Sequence, residues 1–300
     1  MKENILQSKQ PAIKRGWIRA ILSIIAFVVA SVIIQSIVGI VIVTAKGVNL
    51  VELQNLLHNP QNFGIMFIFQ LSTLFTVFLV TFIFRRYIDR KSILSMGFYV
   101  KDKYRDMFWG LVVGFVLMLI GFFVLKWSNL LEITAIQFNS KAVFGGFLFF
   151  IVVALGEEIL FRGYILPNFM DSFKNKYVAL FISSLLFAIF HGLNPNLNIV
   201  GFINLILAGM ALGITYIHTR NLWFPIFLHL SWNYFQGPIF GFEVSGLDFN
   251  TVLMHDVSGN ELITGGRFGF EGSILISALL IAMIIVTDRF LVKSKLQATQ

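Results

Sequence analysis

Charged and amide side chains recur inside apolar stretches of this sequence, where they are expensive to keep. Placing one ionisable group in hydrocarbon costs roughly 2.5–3.5 kcal/mol on insertion scales. A chain that keeps several such groups at similar depth is expected to use them together. Six of them are candidate catalytic residues: Glu157, Glu158, Arg162, His191, His229 and Asn233.

Their types fit the activation of a water molecule and the stabilisation of an oxyanion. Glu157 can take a proton from water as a general base, with His191 assisting. His229 and Asn233 are four residues apart and share one helical face, so imidazole and carboxamide can hold a developing oxyanion. Hydrolysis of a peptide bond at membrane depth is the chemistry that this set predicts.

The two adjacent glutamates are expected to do different work. Glu158 and Arg162 are four residues apart and can form an ion pair on one helical face. Glu157 is turned by about 100° from its neighbour. One glutamate can therefore be held by the arginine while the other faces a cavity.

The composition identifies the setting of these residues as a membrane. Of 300 residues, 57% are hydrophobic and only 13% are charged, whereas soluble domains are about 25% charged. The absence of cysteine excludes disulfides, a thiolate zinc site and a cysteine nucleophile. The net charge of +8 comes from residues that flank apolar spans; this is typical of membrane topology signals and excludes a nucleic-acid partner.

A membrane-crossing helix needs about 20 mostly apolar residues. On that criterion we predict an all-α polytopic membrane protein with about eight transmembrane helices. The predicted spans are 18–44, 64–84, 107–125, 143–166, 177–193, 199–217, 222–240 and 273–292.

The distribution of positive charge predicts the orientation. With the N-terminus inside, nineteen of the 23 Lys and Arg residues fall on cytoplasmic segments. The other four are Lys46, Lys126, Lys141 and Arg267. Lys and Arg concentrate on cytoplasmic loops, so we predict a multi-pass protein of the cell membrane with both termini cytoplasmic and an acidic extracytoplasmic loop over 241–272.

Helix geometry places the polar residues in one layer. At about 1.5 Å per residue, Glu157 lies ~14 Å and His191 ~21 Å from the predicted cytoplasmic edge. His229 and Asn233 lie ~11 and ~17 Å from the same edge. Three helices are thus expected to bring these groups together in the cytoplasmic half or the middle of the bilayer.

Three motifs on consecutive apolar spans resemble those of a known family. They are Glu157-Glu158-Ile-Leu-Phe-Arg162, Phe187-Ala-Ile-Phe-His191 and His229-Leu-Ser-Trp-Asn233. They are similar to the EExxxR, FxxxH and HxxxN motifs of the CAAX protease and bacteriocin-processing family of intramembrane proteases, also called CPBP or Abi proteins. The resemblance covers about a third of the chain.

The resemblance implies an eight-helix fold whose active site opens towards the cytosol. It implies that Glu157 activates water beside His191, and that His229 and Asn233 form the oxyanion site. Arg162 would be structural or would orient substrate, with its partner glutamate in support.

We therefore divide the chain into four parts. Residues 1–142 form a cytoplasmic tail and three transmembrane helices, and 143–240 form the CPBP catalytic core of four helices. Residues 241–272 form the extracytoplasmic loop, and 273–300 form the last transmembrane helix and a cytoplasmic tail.

The sequence leaves the use of a metal and the identity of the substrate open. If zinc is present, Glu157, His191 and His229 would be its ligands, although a glutamate mechanism without metal is slightly favoured. The expected partners are membrane lipid and a membrane-associated peptide or protein, with bacteriocin maturation or self-immunity as settings that the resemblance suggests.

Two other classes of function compete with the protease. One is a non-proteolytic membrane scaffold or immunity protein that keeps the motifs for structure, and the other is a proton-coupled transporter, since buried carboxylates and histidines also relay protons. Gln35 and Gln70 are interpreted as packing contacts. Gly209 and Gly213 are interpreted as sites of close helix packing rather than of dimerisation.

Overall fold

A computed structural model describes residues 10–298, so Lys2 and Lys9 of the predicted cytoplasmic tail lie outside it. The described chain is an all-α polytopic membrane protein, as predicted. In chain order the α-helices are α1 (Gly16–Lys46), α2 (Leu50–His58), α3 (Phe63–Ile83), α4 (Tyr104–Trp127), α5 (Gly146–Glu158), α6 (Leu166–Met170), α7 (Lys176–Phe190), α8 (Ile199–Thr219), α9 (Trp223–Tyr234), α10 (Glu261–Thr264) and α11 (Ile274–Ala298).

All eight predicted spans are largely helical, but they differ in length. Within the described residues, six helices are long and apolar enough to cross a membrane, counting Lys141–Met170 as one. The other two are shorter: α7 has 15 residues, and α9 has 12 before it continues into a π-helical turn, Phe235–Ile239. The count of eight crossings therefore stays a prediction.

One end of the helix bundle, here called the proximal end, holds the start of α1 and the connectors 89–103, 171–175 and 220–222. Backbone hydrogen bonds join these segments. The amide of Ala12 donates to the carbonyl of Ile88 over 2.7 Å, and the amide of Leu222 donates to that of Gly97 over 3.0 Å.

The opposite end, here called the distal end, holds the connectors 47–62, 128–140, 191–198 and 240–273. Asn250 donates its amide to the carbonyl of Pro60 over 2.8 Å, which ties the last of these connectors to the first. The distal end thus gathers the segments that contain few Lys and Arg residues.

A small β-hairpin covers part of the distal end. Strands β1 (Leu131–Ile136) and β2 (Leu253–Val257) pair antiparallel, with a bulge between Ile133 and Ala135. The sequence analysis did not predict these strands, although alternate residues of β1 are exposed, which is the period expected of a half-buried strand.

Close packing holds α7 against α8. A Cβ atom added at Gly209 would lie 2.8–3.0 Å from atoms of Ser184, so nothing larger than glycine fits without movement. In a bilayer, packing and polar contacts rather than exclusion of water drive helix association. This contact supports the interpretation of Gly209 as a packing residue.

A continuous buried segment lies between the polar layer and the proximal end. Every residue from Ile159 to Phe169 is buried. The side chains of Phe161, Tyr164 and Phe169 belong to one apolar cluster that also draws on α7, α8 and α9.

Candidate active site

The EExxxR motif lies where α5 changes into a π-helical turn. Glu158 is the last residue of α5, Ile159–Ile165 form the π-helical turn, and α6 follows without a break. Such π segments inside α-helices are frequent at functional sites. Here the turn follows directly after the two glutamates.

Glu158 is fully buried and bonded on one oxygen to two partners. Its Oε1 accepts a hydrogen bond from Arg162 Nη1 at 2.8 Å and lies 2.9 Å from His229 Nδ1. The guanidinium of Arg162 also donates to the carbonyl of Gly209 at 3.0 Å. The predicted ion pair is present, and Arg162, at 1% exposure, lies behind the site rather than in it.

Glu157 has a different environment, although it is the neighbouring residue. Its side chain is 26% exposed, and its Oε2 lies 3.8 Å from His191 Nε2 and 3.9 Å from His229 Nε2. Both distances are too long for direct hydrogen bonds. Both are short enough for one water oxygen to bridge the carboxylate and an imidazole.

His191 is held in one orientation by the FxxxH spacing. It lies directly after α7, and its Nδ1 is 2.8 Å from the backbone carbonyl of Phe187. A carbonyl only accepts, so Nδ1 carries the proton in this contact. The neutral ring then presents Nε2 as an acceptor towards Glu157.

His229 and Asn233 lie on one face of α9, as their spacing predicts. Both are 6% exposed and both line the same cavity. His229 stands between the two glutamates, with Nδ1 on Glu158 and Nε2 towards Glu157. The imidazole therefore connects the buried ion pair to the cavity.

The cavity itself has a volume of about 350 Å³. Four of the six predicted residues line it, whereas Glu158 and Arg162 do not. It is also lined by polar residues that the sequence analysis did not assign to the site: Gln70, Thr73, Asn194, Ser245 and Glu271.

Some of these additional residues gave a signal in the sequence. Gln70 is polar within a predicted span, and the structure places it in the cavity lining rather than only in a packing contact. Gln35 does make a contact between helices, by donating to Thr73 Oγ1 over 2.9 Å. Ser245 and Glu271 gave no sequence signal of a place in the site, because they lie in a Gly-rich connector without periodicity.

Hydrogen bonds that Glu271 accepts from Ser245 and Trp232 hold together the distal wall of the cavity. Glu271 Oε2 accepts from the backbone amide of Ser245 at 2.7 Å and from its hydroxyl at 2.8 Å. Glu271 Oε1 accepts from Trp232 Nε1 at 3.3 Å. The cavity is thus bounded by the distal connectors, and its other boundary is the packed cluster that begins at Leu160 and Phe161.

The predicted zinc ligands do not form a cage suited to a metal. A tetrahedral zinc with bonds of about 2.0–2.1 Å places its ligand atoms about 3.3 Å apart, whereas Glu157 Oε2 lies 3.8 and 3.9 Å from the two Nε2 atoms. Among the described residues, no group of three or more His, Asp or Glu could hold a metal ion. The residues present therefore do not fit a zinc ion.

Comparison with known proteins identifies the segment that carries this site. Residues 139–235 match the family model described as type II CAAX prenyl endopeptidase Rce1-like. Neither a curated protein nor a solved structure matches the chain. The matched segment contains all six motif residues and covers about a third of the chain. Over this segment the chain is similar to the Rce1-like type II CAAX prenyl endopeptidases.

Proposed function

We propose that this protein is an intramembrane endopeptidase that hydrolyses a peptide bond of a membrane-associated protein or peptide. The observation that carries the proposal is the position of Glu157 Oε2, nearly equidistant from two imidazole Nε2 atoms inside a cavity. The family match supports the same class of reaction. The catalytic core that we propose comprises residues 143–240, with the three long preceding helices, α1, α3 and α4, and α11 as its support.

In the first step Glu157 removes a proton from a water held between it and His191. The hydroxide oxygen attacks the carbonyl carbon of the substrate, and the carbonyl oxygen becomes an oxyanion. A positioned general base of this kind contributes typically 10²–10⁴-fold to the rate.

The oxyanion is stabilised by His229 Nε2–H and by the amide of Asn233. A doubly protonated His229 donates from both nitrogens, with Nδ1–H on Glu158 and Nε2–H towards the cavity. The charges then balance, because Arg162 offsets Glu158 and the imidazolium offsets Glu157. One such oxyanion donor is worth roughly 2.7–4 kcal/mol.

In the second step Glu157 returns its proton to the leaving nitrogen. The C–N bond breaks as the carbonyl reforms, giving a carboxylic acid and an amine. The proton of the new acid then passes to the amine, which leaves a carboxylate and an ammonium. The same residue serves as base and then as acid, so no further proton donor is required.

We further propose that the protein lies in the cell membrane with both termini cytoplasmic, because Lys and Arg concentrate at the proximal end. Membrane peptides linked to bacteriocin maturation or self-immunity are the substrate setting that the CPBP resemblance suggests.

Comparative membrane proteomics tests the proposal. We expect Glu157→Gln to leave some membrane peptides uncut that the wild type trims, at equal abundance of the two proteins. Glu132→Gln, on the exposed side of β1, is the matched control and should process normally. Identical peptide termini in all three strains would refute the endopeptidase and leave the scaffold or transporter hypotheses.

A further inference from the structure

We infer that the substrate reaches the site from the extracytoplasmic side, as the stretch of a membrane-anchored peptide just outside the bilayer, with basic residues near the cut bond. The inference rests on the proposed endopeptidase activity and adds to it the side of the membrane and the charge of the substrate.

The first support is the unequal length of two neighbouring helices. α7 and α8 meet at the proximal end, where Lys176 Nζ lies 3.0 Å from His218 Nδ1. From there α7 extends about 22 Å, and α8 about 31 Å, at 1.5 Å per residue. His191 follows the end of α7, so it lies roughly 9 Å closer to the proximal end than the first residue of α8 does. The early end of α7 leaves a recess that faces the distal side.

The second support is that a buried helical core bounds the cavity on one side and connectors bound it on the other. Towards the proximal end, α5 and α6 continue into the packed apolar cluster, and every residue from Ile159 to Phe169 is buried. Towards the distal end the boundary consists of connector residues, among them Asn194 and Ser245. A connector can part from its neighbours more easily than a helix core can open, because fewer buried contacts are lost.

The third support is the charge that marks the two ends. Among the described residues, the distal connectors and helix ends contain only Lys46, Lys126, Lys141 and Arg267 as Lys or Arg. Cytoplasmic loops are enriched in positive residues. The distal end is therefore the extracytoplasmic one, which is opposite to the cytosolic opening that the family resemblance implies.

The charge of the site indicates which peptides fit. No Lys or Arg is among the described residues that line the cavity, whereas Glu157 and Glu271 are. The connector from 241 to 272 adds further carboxylates against the single Arg267. Such a field attracts cationic segments and repels anionic ones. A substrate that brings a free C-terminal carboxylate to the site would meet no Lys or Arg among these residues, and the imidazolium proposed at His229 is already offset by Glu157.

Single-cysteine labelling tests the side of the membrane independently of catalysis. The chain has no cysteine, so Ser258→Cys on the distal hairpin, Asn194→Cys in the cavity wall and Lys101→Cys on the proximal connector each give one label site. We expect a membrane-impermeant maleimide to label the first two in intact cells and the third only after permeabilisation. Labelling of Lys101→Cys alone in intact cells would overturn the inference.

Mapping the cut bonds tests the substrate. In the comparison of wild type with Glu157→Gln, we expect the changed termini to lie on the extracytoplasmic side of each substrate's span. Replacing flanking Lys residues of such a substrate by Glu should slow its cleavage about tenfold. Cuts on the cytoplasmic side would overturn this inference and leave the endopeptidase intact, whereas no changed termini would refute the endopeptidase itself.

Discussion

Two clusters of buried charge lie along the path of α5 and α6, and only one of them faces a cavity. In the proximal cluster Asp89 is fully buried, and both of its carboxylate oxygens accept hydrogen bonds. Oδ1 accepts from Arg19 at 2.9 Å and from Tyr164 at 3.2 Å, and Oδ2 accepts from Arg85 at 2.9 Å. This cluster joins α1, the π-helical turn Phe84–Ile88 that follows α3, and the π-helical turn after α5.

The cluster beside the cavity contains one carboxylate of each kind. Glu158 resembles Asp89, because it is buried and paired with an arginine. Glu157 differs, because its Oε2 faces two imidazoles at 3.8 and 3.9 Å, beyond the distance of a direct hydrogen bond. A buried charge in a membrane is therefore weak evidence of catalysis. A carboxylate left unpaired beside a cavity is stronger evidence, because its desolvation is not offset by a structural partner.

The largest effect that this comparison predicts is on activity. Glu157→Gln keeps the shape of the side chain but cannot take a proton, so we expect the rate to fall at least about 10³-fold, equivalent to ~4 kcal/mol in the barrier. The melting temperature in detergent should stay within about 2 °C of wild type. A loss of stability without a loss of rate would show that Glu157 is structural, as Asp89 is.

Asp89→Ala should have the opposite effect. It leaves buried Arg85 without its carboxylate and buried Arg19 with only its pair to Asp171. Breaking a buried pair typically costs about 3–5 kcal/mol, and we expect this loss in the free energy of unfolding measured in detergent. The rate per folded molecule should change little. Asp171→Ala is the matched control, because its side chain is 42% exposed and its ion pair with Arg19 should be worth about 1 kcal/mol or less.

The oxyanion role that we propose for Asn233 predicts a smaller loss of activity on its substitution than on substitution of Glu157. We expect Asn233→Ala to lower kcat about 10²–10³-fold with a lesser change in KM, since the amide acts mainly on the transition state. Steady-state kinetics on a cleaved peptide measures both. A raised KM at unchanged kcat would assign Asn233 to substrate binding instead.

Gly209 links packing to the site, because its carbonyl accepts from Arg162 and its surface contacts Ser184. We expect Gly209→Ala to destabilise the protein by about 1–3 kcal/mol through overpacking. A Cβ added at Gly64 meets no atom within 4 Å, so Gly64→Ala should be neutral or slightly stabilising. Equal thermal unfolding of the two variants would contradict the close contact of α7 and α8.

The smallest effect that we expect is a change in the pH dependence of stability, and it comes from His255 on the distal hairpin. Burial lowers the pKa of His255 below the usual value of 6.5. The stability that its neutral form contributes is therefore complete above pH 6.5 and is lost as the pH falls from there through the lowered pKa. We expect wild type to lose more stability than His255→Phe between about pH 7 and pH 5. Glu243, whose pKa is raised by burial, is present in both proteins and cancels. Parallel losses would mean that His255 is solvated.

Much of the site could be predicted because its geometry is local. The spacing of Glu158 with Arg162, and of His229 with Asn233, fixes a shared helical face whatever the tertiary fold. Apolar runs of known length then bring three helices to one depth. The separation of Glu157 from both imidazoles lies within the reach of a bridging water, which is the condition that the hydrolase hypothesis required.

The rest depends on contacts between distant parts of the chain. The π-helical turn at Ile159–Ile165 keeps the composition of an ordinary helix, so nothing in its sequence distinguishes it. Glu271 enters the site through its bonds to Ser245 and Trp232, which no periodicity predicts. The early end of α7 could not be foreseen either, because His191 and Leu193 extend the apolar run beyond the last helical residue.

The shortness of α7 also has a consequence for the lipid around it. Its 15 residues span about 22 Å, less than the ~30 Å of hydrocarbon in a typical bilayer. A bilayer meets such a mismatch by thinning locally. A substrate helix that lies next to α7 would be exposed to water at the turns outside the thinned bilayer, where its backbone can exchange internal hydrogen bonds for bonds to water. Part of such a helix would then be unwound before it enters the site, and its peptide bonds would be accessible to hydrolysis.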